Sequence, residues 1–191
     1  MIHAQLAARW NLDAGTLEGG TESRRVLSQL AGCFMDEPAF ERAVAERHDP
    51  LVYTISTRAP SMADGDLHCG LGRLLPGRVG AEYYFTRGHL HAWREAAEIY
   101  IGLRGRGMML LEDPGTGLAE LLPLEPGGMV HVPGRIAHRT LNTGVEPLLY
   151  LGITPARAGH DYGSPDRPLF RHAVVESGGR PVLVSRNAAR P

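Results

Sequence analysis

Cysteine is scarce: Cys33 and Cys69 are the two in the chain, and no CxxC spacing joins them. That scarcity excludes a disulfide framework and a zinc knuckle, and two reduced thiols point to the cytoplasm. An excess of either charge is missing too. Twenty Lys and Arg stand against 21 Asp and Glu, for a formal net charge of −1, so no broad cationic face for nucleic acid or anionic lipid is implied. No apolar run approaches the ~20 residues that cross a bilayer, and no secretory leader is read at the start. Internal repeats and low-complexity tracts are absent as well. The expectation is a soluble cytoplasmic protein without nucleic-acid or membrane partners.

What is present in quantity is punctuation. The 24 Gly and 14 Pro are spread between short apolar runs, the pattern of an all-β domain with many turns. With 191 residues the chain suits one domain, 1–191, with a core at about 50–155, an N-terminal extension at 1–49 and a C-terminal extension at 156–191. One helix is predicted in "DEPAFERAVAE", residues 36–46: Asp36 can cap it, Pro38 suits its first turn, and Phe40, Ala43 and Val44 share a face. Strand-like segments follow: "PLVYTIST", "LHCGLGRLLPG", "GAEYYFTRGHLHAW", "AEIYIGLRGRGMMLLED", "GLAELLPLEPGGMVHVP", "HRTLNTG" and "PLLYLGITP". Their spacing favours a barrel or sandwich. "EDPGTG" at 112–117 reads as a hairpin loop, and "EPGG" at 125–128 as a tight turn with glycines at positive φ. Weaker strands are read in "FRHAVVES" and "RPVLVS", and the terminal "RNAARP" is expected to be loosely held.

The informative stretch is "GHLHAWREAAEIY", residues 88–100. Side chains two apart on a strand share a face, so His89 and His91 can meet one object. If "AWREA" forms a connection, Glu98 and Tyr100 return on the next strand facing the same interior, and His138, after the "EPGG" turn, can join them. Imidazoles plus one carboxylate suit a divalent Fe, Mn, Ni, Co or Zn ion, and ligand type alone does not choose among these. His3, His48, His68, His131 and His172 are read as structural.

The order of these residues resembles the cupin family. Its first motif is matched by Gly88, His89, His91, Glu98 and Gly105, its second by Gly127, Pro133, His138 and Asn142. Two departures stand out: six residues separate His91 from Glu98 where common cupins have three or four, and Gly134 lies one place early. The long gap, with "TRGH", "DPLVYTIS" and "AGHDYG", is similar to the cupin-type phosphoglucose isomerases of archaea and some bacteria, and this likeness covers nearly the whole chain.

The resemblance implies a cupin double-stranded β-helix, a jelly-roll barrel, that isomerises glucose 6-phosphate and fructose 6-phosphate. It implies His89, His91, Glu98 and His138 as ligands of one divalent ion per subunit, iron first among the metals named above. Tyr53, Thr86 and Gly88 match positions that hold the sugar phosphate, with Arg87 as a nearby cation, and Tyr100, His160 and Tyr162 match the sugar end. Glu98, with Tyr100 and His160, is the catalytic candidate, by proton transfer or by a metal-assisted hydride shift. A homodimer is implied as well. Gly72 and Thr154 replace a phosphate-contacting threonine and a sugar-end tyrosine of the archaeal relatives. The competing readings are a cupin dioxygenase with an iron site and a non-catalytic cupin that binds sugar phosphate.

Overall fold

The computed structural model describes residues 7–59, 61–164 and 167–186. A small hairpin, β1 (Trp10–Asn11) and β2 (Thr16–Leu17), is followed by β3 (Thr21–Val26) and a 3-10 turn at Leu27–Leu30. Helix α1 (Glu37–Glu46) precedes β4 (Leu51–Arg58), β5 (Leu67–Leu74), β6 (Arg78–Val79) and β7 (Glu82–Tyr83). Then come β8 (Glu98–Arg104), β9 (Gly107–Glu112), β10 (Ala119–Leu124), β11 (Met129–Val132) and β12 (Ala137–Asn142). The last strands are β13 (Leu148–Pro155), β14 (His172–Ser177) and β15 (Arg180–Ser185). The fold is all-β, as expected, and residues 187–191 of the tail lie outside the described residues.

The main sheet runs β11-β8-β13-β5-β4-β3, and a second sheet, β10-β9-β12, stands across from it. Side chains from both fill one core: Tyr53, Tyr100 and Tyr150 from the first, Met109, Leu111 and Leu141 from the second. Alternation sends the next residues of the main sheet outward, so Leu71 and Leu151 pack under Leu17 of the small hairpin. That hairpin is tied down by the Leu17 N–H, donated at 2.9 Å to the buried Ser56 hydroxyl.

Asp36 caps α1 by accepting the Ala39 N–H at 2.9 Å, a contact worth about 0.5–2 kcal/mol. Ala39, Phe40 and Ala43 form its buried face. Phe34 lies 4.4 Å from Phe85 and 5.8 Å from Phe40, ring centre to ring centre. Together with Leu27 and Leu30 these rings press the N-terminal segment onto the barrel, each burial worth about 1.5–3 kcal/mol.

The stretch 80–93 departs from the expected single strand. After β7 it makes only isolated bridges, Phe85 with Leu141 and His89 with His138 on one side and Leu90 with Asp161 on the other. It is threaded between β12 and the loop after β13, taking short turns with each, so no continuous ladder forms. "EDPGTG" does connect an antiparallel pair, β9 and β10. In "EPGG" only Gly127 has positive φ, at +83°.

Candidate metal centre

Backbone pairing sets the site. The N–H of His89 donates to the carbonyl of His138 at 3.1 Å, and the N–H of His138 returns the bond at 3.0 Å. Their rings therefore meet edge to face, with centroids 4.3 Å apart. His91 follows on the same side, 5.5 Å from His89, and 92–97 form the turn that brings the chain back to Glu98 at the start of β8. Arg94 of that turn donates to the His91 carbonyl and pairs with Asp161, tying the turn to the loop at 156–163.

Ligand atoms of His89, His91, Glu98 and His138 all lie within 4.8 Å of one another. The far nitrogens are already engaged: His91 Nδ1 contacts the Ala96 carbonyl at 2.9 Å and His138 Nδ1 the Ile136 carbonyl at 3.1 Å. A carbonyl can only accept, so both Nδ1 atoms carry the hydrogen and a neutral ring leaves a bare lone pair on Nε2. Both Nε2 atoms sit 3.2 Å from Glu98 Oε2, which is itself an acceptor. Three lone pairs converging on one point repel unless a cation lies among them. His89 Nε2, in the same cluster, is buried without a hydrogen-bond partner. The donor set fits a divalent ion of the Fe, Mn, Ni, Co or Zn type.

The electrostatics agree. Burial alone would raise the Glu98 carboxyl, but the closeness of His138 and His91 outweighs it and holds the group well below the usual carboxylate range. Burial, reinforced by neighbouring His138 and His160, pushes His89 well below an ordinary histidine. An ionised carboxylate and a neutral ring are the states that ligate.

From this cluster a cavity of about 190 Å³ extends along the main sheet. Its wall runs from Glu98, beside the Thr154–His68 pair, to Tyr53 at the far side. Tyr53, Thr86, Arg87, Tyr100, His160 and Tyr162 all line it. Thr86 Oγ1 accepts the Thr140 N–H at 3.1 Å, and Tyr53 Oη accepts the Arg87 N–H at 3.3 Å. Burial raises the Tyr53 phenol, opposed by the Arg87 N–H and by Arg25. His160 stacks parallel to Tyr162 at 5.8 Å and lies 4.4 Å from the His89 ring, and burial lowers its pKa. Gly88 stands off the wall: a side chain there would meet the Phe170 ring, with Arg139 Nε at 3.0 Å.

The wall also holds residues that sequence reasoning missed. Arg25 belongs to β3, and His68, read as structural, faces the cavity from β5. Tyr150 pairs with Gly72 on one side and Gly102 on the other, and a Cβ at position 72 would lie 2.5 Å from its hydroxyl. Thr154 donates to the Ala97 carbonyl at 3.3 Å. The signal for all of these is strand register, which spacing along one segment does not reveal.

The model of the family described as glucose-6-phosphate isomerase matches residues 24–187. The glucose-6-phosphate isomerase of Pyrococcus horikoshii is 43% identical over 184 residues, covering 96% of each chain. That of Thermococcus gammatolerans is 45% identical over 174 residues, 91% of this chain and 90% of its own. The enzyme of Thermococcus litoralis is 41% identical over 173 residues, with the same coverage. Likeness of this length, in a chain whose barrel gathers histidines from two neighbouring segments around one glutamate, makes it a member of the glucose-6-phosphate isomerase family in its cupin form.

Proposed function

We propose that the chain interconverts glucose 6-phosphate and fructose 6-phosphate, with Glu98 and the histidines as the reacting end of the cavity and Tyr53, Thr86 and Arg87 as its phosphate end. The observation that supports this most is one cavity lined both by members of a four-ligand cluster and by hydroxyl donors with a guanidinium. The obstacle to isomerisation is the weak acidity of a C–H beside a carbonyl. A divalent ion held by His89, His91, Glu98 and His138 supplies Lewis-acid stabilisation of the negative charge that develops on the sugar oxygens.

The remaining roles fall to side chains. Glu98 Oε2 faces His91 and His138, whereas Oε1 lies beside Gly152, where a Cβ would be only 2.8 Å away. The missing side chain leaves Oε1 open to the cavity, and this oxygen is the proposed base that carries the proton between C2 and C1. Tyr100, held protonated by burial and by the nearby Glu98 charge, turns an O–H toward the same end of the cavity. His160, kept neutral, offers a ring nitrogen to a sugar oxygen, with Tyr162 stacked behind it. At the phosphate end Thr86 and Tyr53 use their oxygens as acceptors internally, so each O–H remains to donate outward.

Iron as the native metal, a homodimer, a cytoplasmic location and action as a single domain complete the proposal. The open edges β3 and β11 of the main sheet favour pairing of two barrels, and two free cysteines favour a reducing compartment. The decisive experiment supplies fructose 6-phosphate to protein loaded with Fe, Mn, Ni, Co or Zn in turn. Glucose 6-phosphate should form without oxygen consumption, EDTA should abolish turnover, and added metal should restore it. Full activity after prolonged chelation sinks the metal role.

A further inference from the structure

One wall of the cavity is left unused by these roles. β3, an edge strand of the main sheet, contributes Ser23 and Arg25 to it. Arg25 stands directly opposite Tyr53 in the antiparallel ladder, so both side chains leave the sheet on the same face. The register slips immediately after that pair, between Arg25 and Val26. An irregularity of this kind bends the strand and re-aims the side chains beside it. Ladder pairing thus sets the guanidinium beside the tyrosine whose hydroxyl accepts the Arg87 N–H at 3.3 Å, and its charge opposes the effect of burial on that phenol. Arg25, Tyr53 and the Arg87 backbone thus share one corner.

The charge of Arg25 is unspent. Among the described residues no carboxylate pairs with it, whereas Arg94, Arg135, Arg157 and Arg167 each have one. The single carboxylate on the cavity wall is Glu98, at the metal end. The other guanidinium on the wall, that of Arg87, is engaged 4.4 Å over the Tyr162 ring. A phosphate dianion is held more tightly by a charged donor than by neutral hydroxyls, and a half-buried guanidinium can meet it with two parallel N–H bonds and a charge less screened than on open surface.

We propose that Arg25 is the principal phosphate-binding cation of this site, gripping the dianion together with Tyr53, and that β3 thereby sets the preference for a phosphorylated over a free sugar. This rests on the sugar-phosphate reading of the cavity. The test compares metal-loaded wild type with Arg25→Ala, Arg25→Gln, Arg25→Lys and Arg24→Ala. Arg24 is the exposed neighbour on the opposite face of β3 and serves as control. KM for fructose 6-phosphate and the inhibition constant of inorganic phosphate should rise together, by about tenfold to a hundredfold, in Arg25→Ala and Arg25→Gln. kcat should change by less than about threefold, the mark of lost ground-state binding. Arg25→Lys should recover part of the loss, and Arg24→Ala should match wild type.

Wild-type values of both constants in either neutral variant, in a protein with wild-type thermal melting, overturn the proposal. So does a fall in kcat with KM unchanged. Should Arg25→Ala fail to fold, Arg25→Gln decides, since it removes the charge and keeps a polar, mid-sized side chain on β3. If wild type itself turns over no fructose 6-phosphate, the isomerase reading fails separately. Calorimetric titration of inorganic phosphate into the same variants then decides Arg25.

Discussion

The two ends of the cavity are built to different tolerances. At the metal end reciprocal backbone bonds lock His89 to His138, and carbonyls fix the His91 and His138 rings from behind. At the other end Arg87 is exposed, and the wall is assembled from β3, β4 and a loop. Bond-making needs placement within fractions of an ångström, whereas a phosphate with several oxygens accepts looser donors. Damage should therefore cost turnover at the first end and affinity at the second. Glu98→Gln tests the first half at its strongest. It should lower kcat by about 10²–10⁴-fold, while metal analysis finds the ion still held by the three histidines. Near-wild-type kcat removes Glu98 from the chemistry.

Between the ends, the 156–163 loop carries His160 and Tyr162 and is tethered by Asp161. Its backbone pairs with Leu90 in both directions at 2.9 and 2.8 Å. Its carboxylate takes bonds from Arg94, from Arg167 at 3.0 Å and from the Gly163 N–H at 2.9 Å. The Arg94 bond, then the Gly163 N–H and Arg167, hold this carboxyl well below the usual range. Asp161→Asn removes the charge and keeps the shape. It should raise KM and lower kcat by about threefold to tenfold each with metal content unchanged, since the loop misplaces the sugar without disturbing the ligands. A loss confined to KM would move the loop to the binding side of the comparison.

The same contrast governs what the sequence discloses. His89, His91 and Glu98 lie within ten residues, so local spacing brings them together, and His138 needed only one turn to be placed. Glycine and proline marked the ends of β4, β5 and β13, and Asp36 announced the helix, whereas "AEIYIGLRGRGMMLLED", read as one segment, divides into β8 and β9. The stretch 80–93 misled because strand-like composition does not say whether one partner or two share the pairing. Arg25, His68 and Tyr150 stayed hidden because their neighbours are set by ladders between strands far apart in the chain. Gly88 matched a phosphate-holding position, and the space a side chain would take there is occupied by Phe170.

Tyr150 gives the smallest and sharpest test of the looser end. Position 72, where the likeness to archaeal relatives predicted a lost hydroxyl donor, is covered by the Tyr150 ring from β13. Its phenol lies in the cavity wall, held high by burial and eased by a bond with Thr140. A hydroxyl arriving from the opposite strand can serve the same anion, and then Tyr150→Phe should raise KM for fructose 6-phosphate by about twofold to tenfold with kcat unchanged. If the ring only fills space, Tyr150→Phe leaves KM alone, whereas Gly72→Ala costs about 1–3 kcal/mol by overpacking against it. Pairing Gly72→Ala with Tyr150→Ala should relieve the clash, and comparing melting temperatures of the single and double variants measures how much of that contact is packing. An affinity loss in Tyr150→Phe at constant melting temperature assigns the phenol to the phosphate end. It would also mean that the donor missing at position 72 has moved one strand across, and that the looser end keeps its chemistry by redistributing hydroxyls and not by preserving positions.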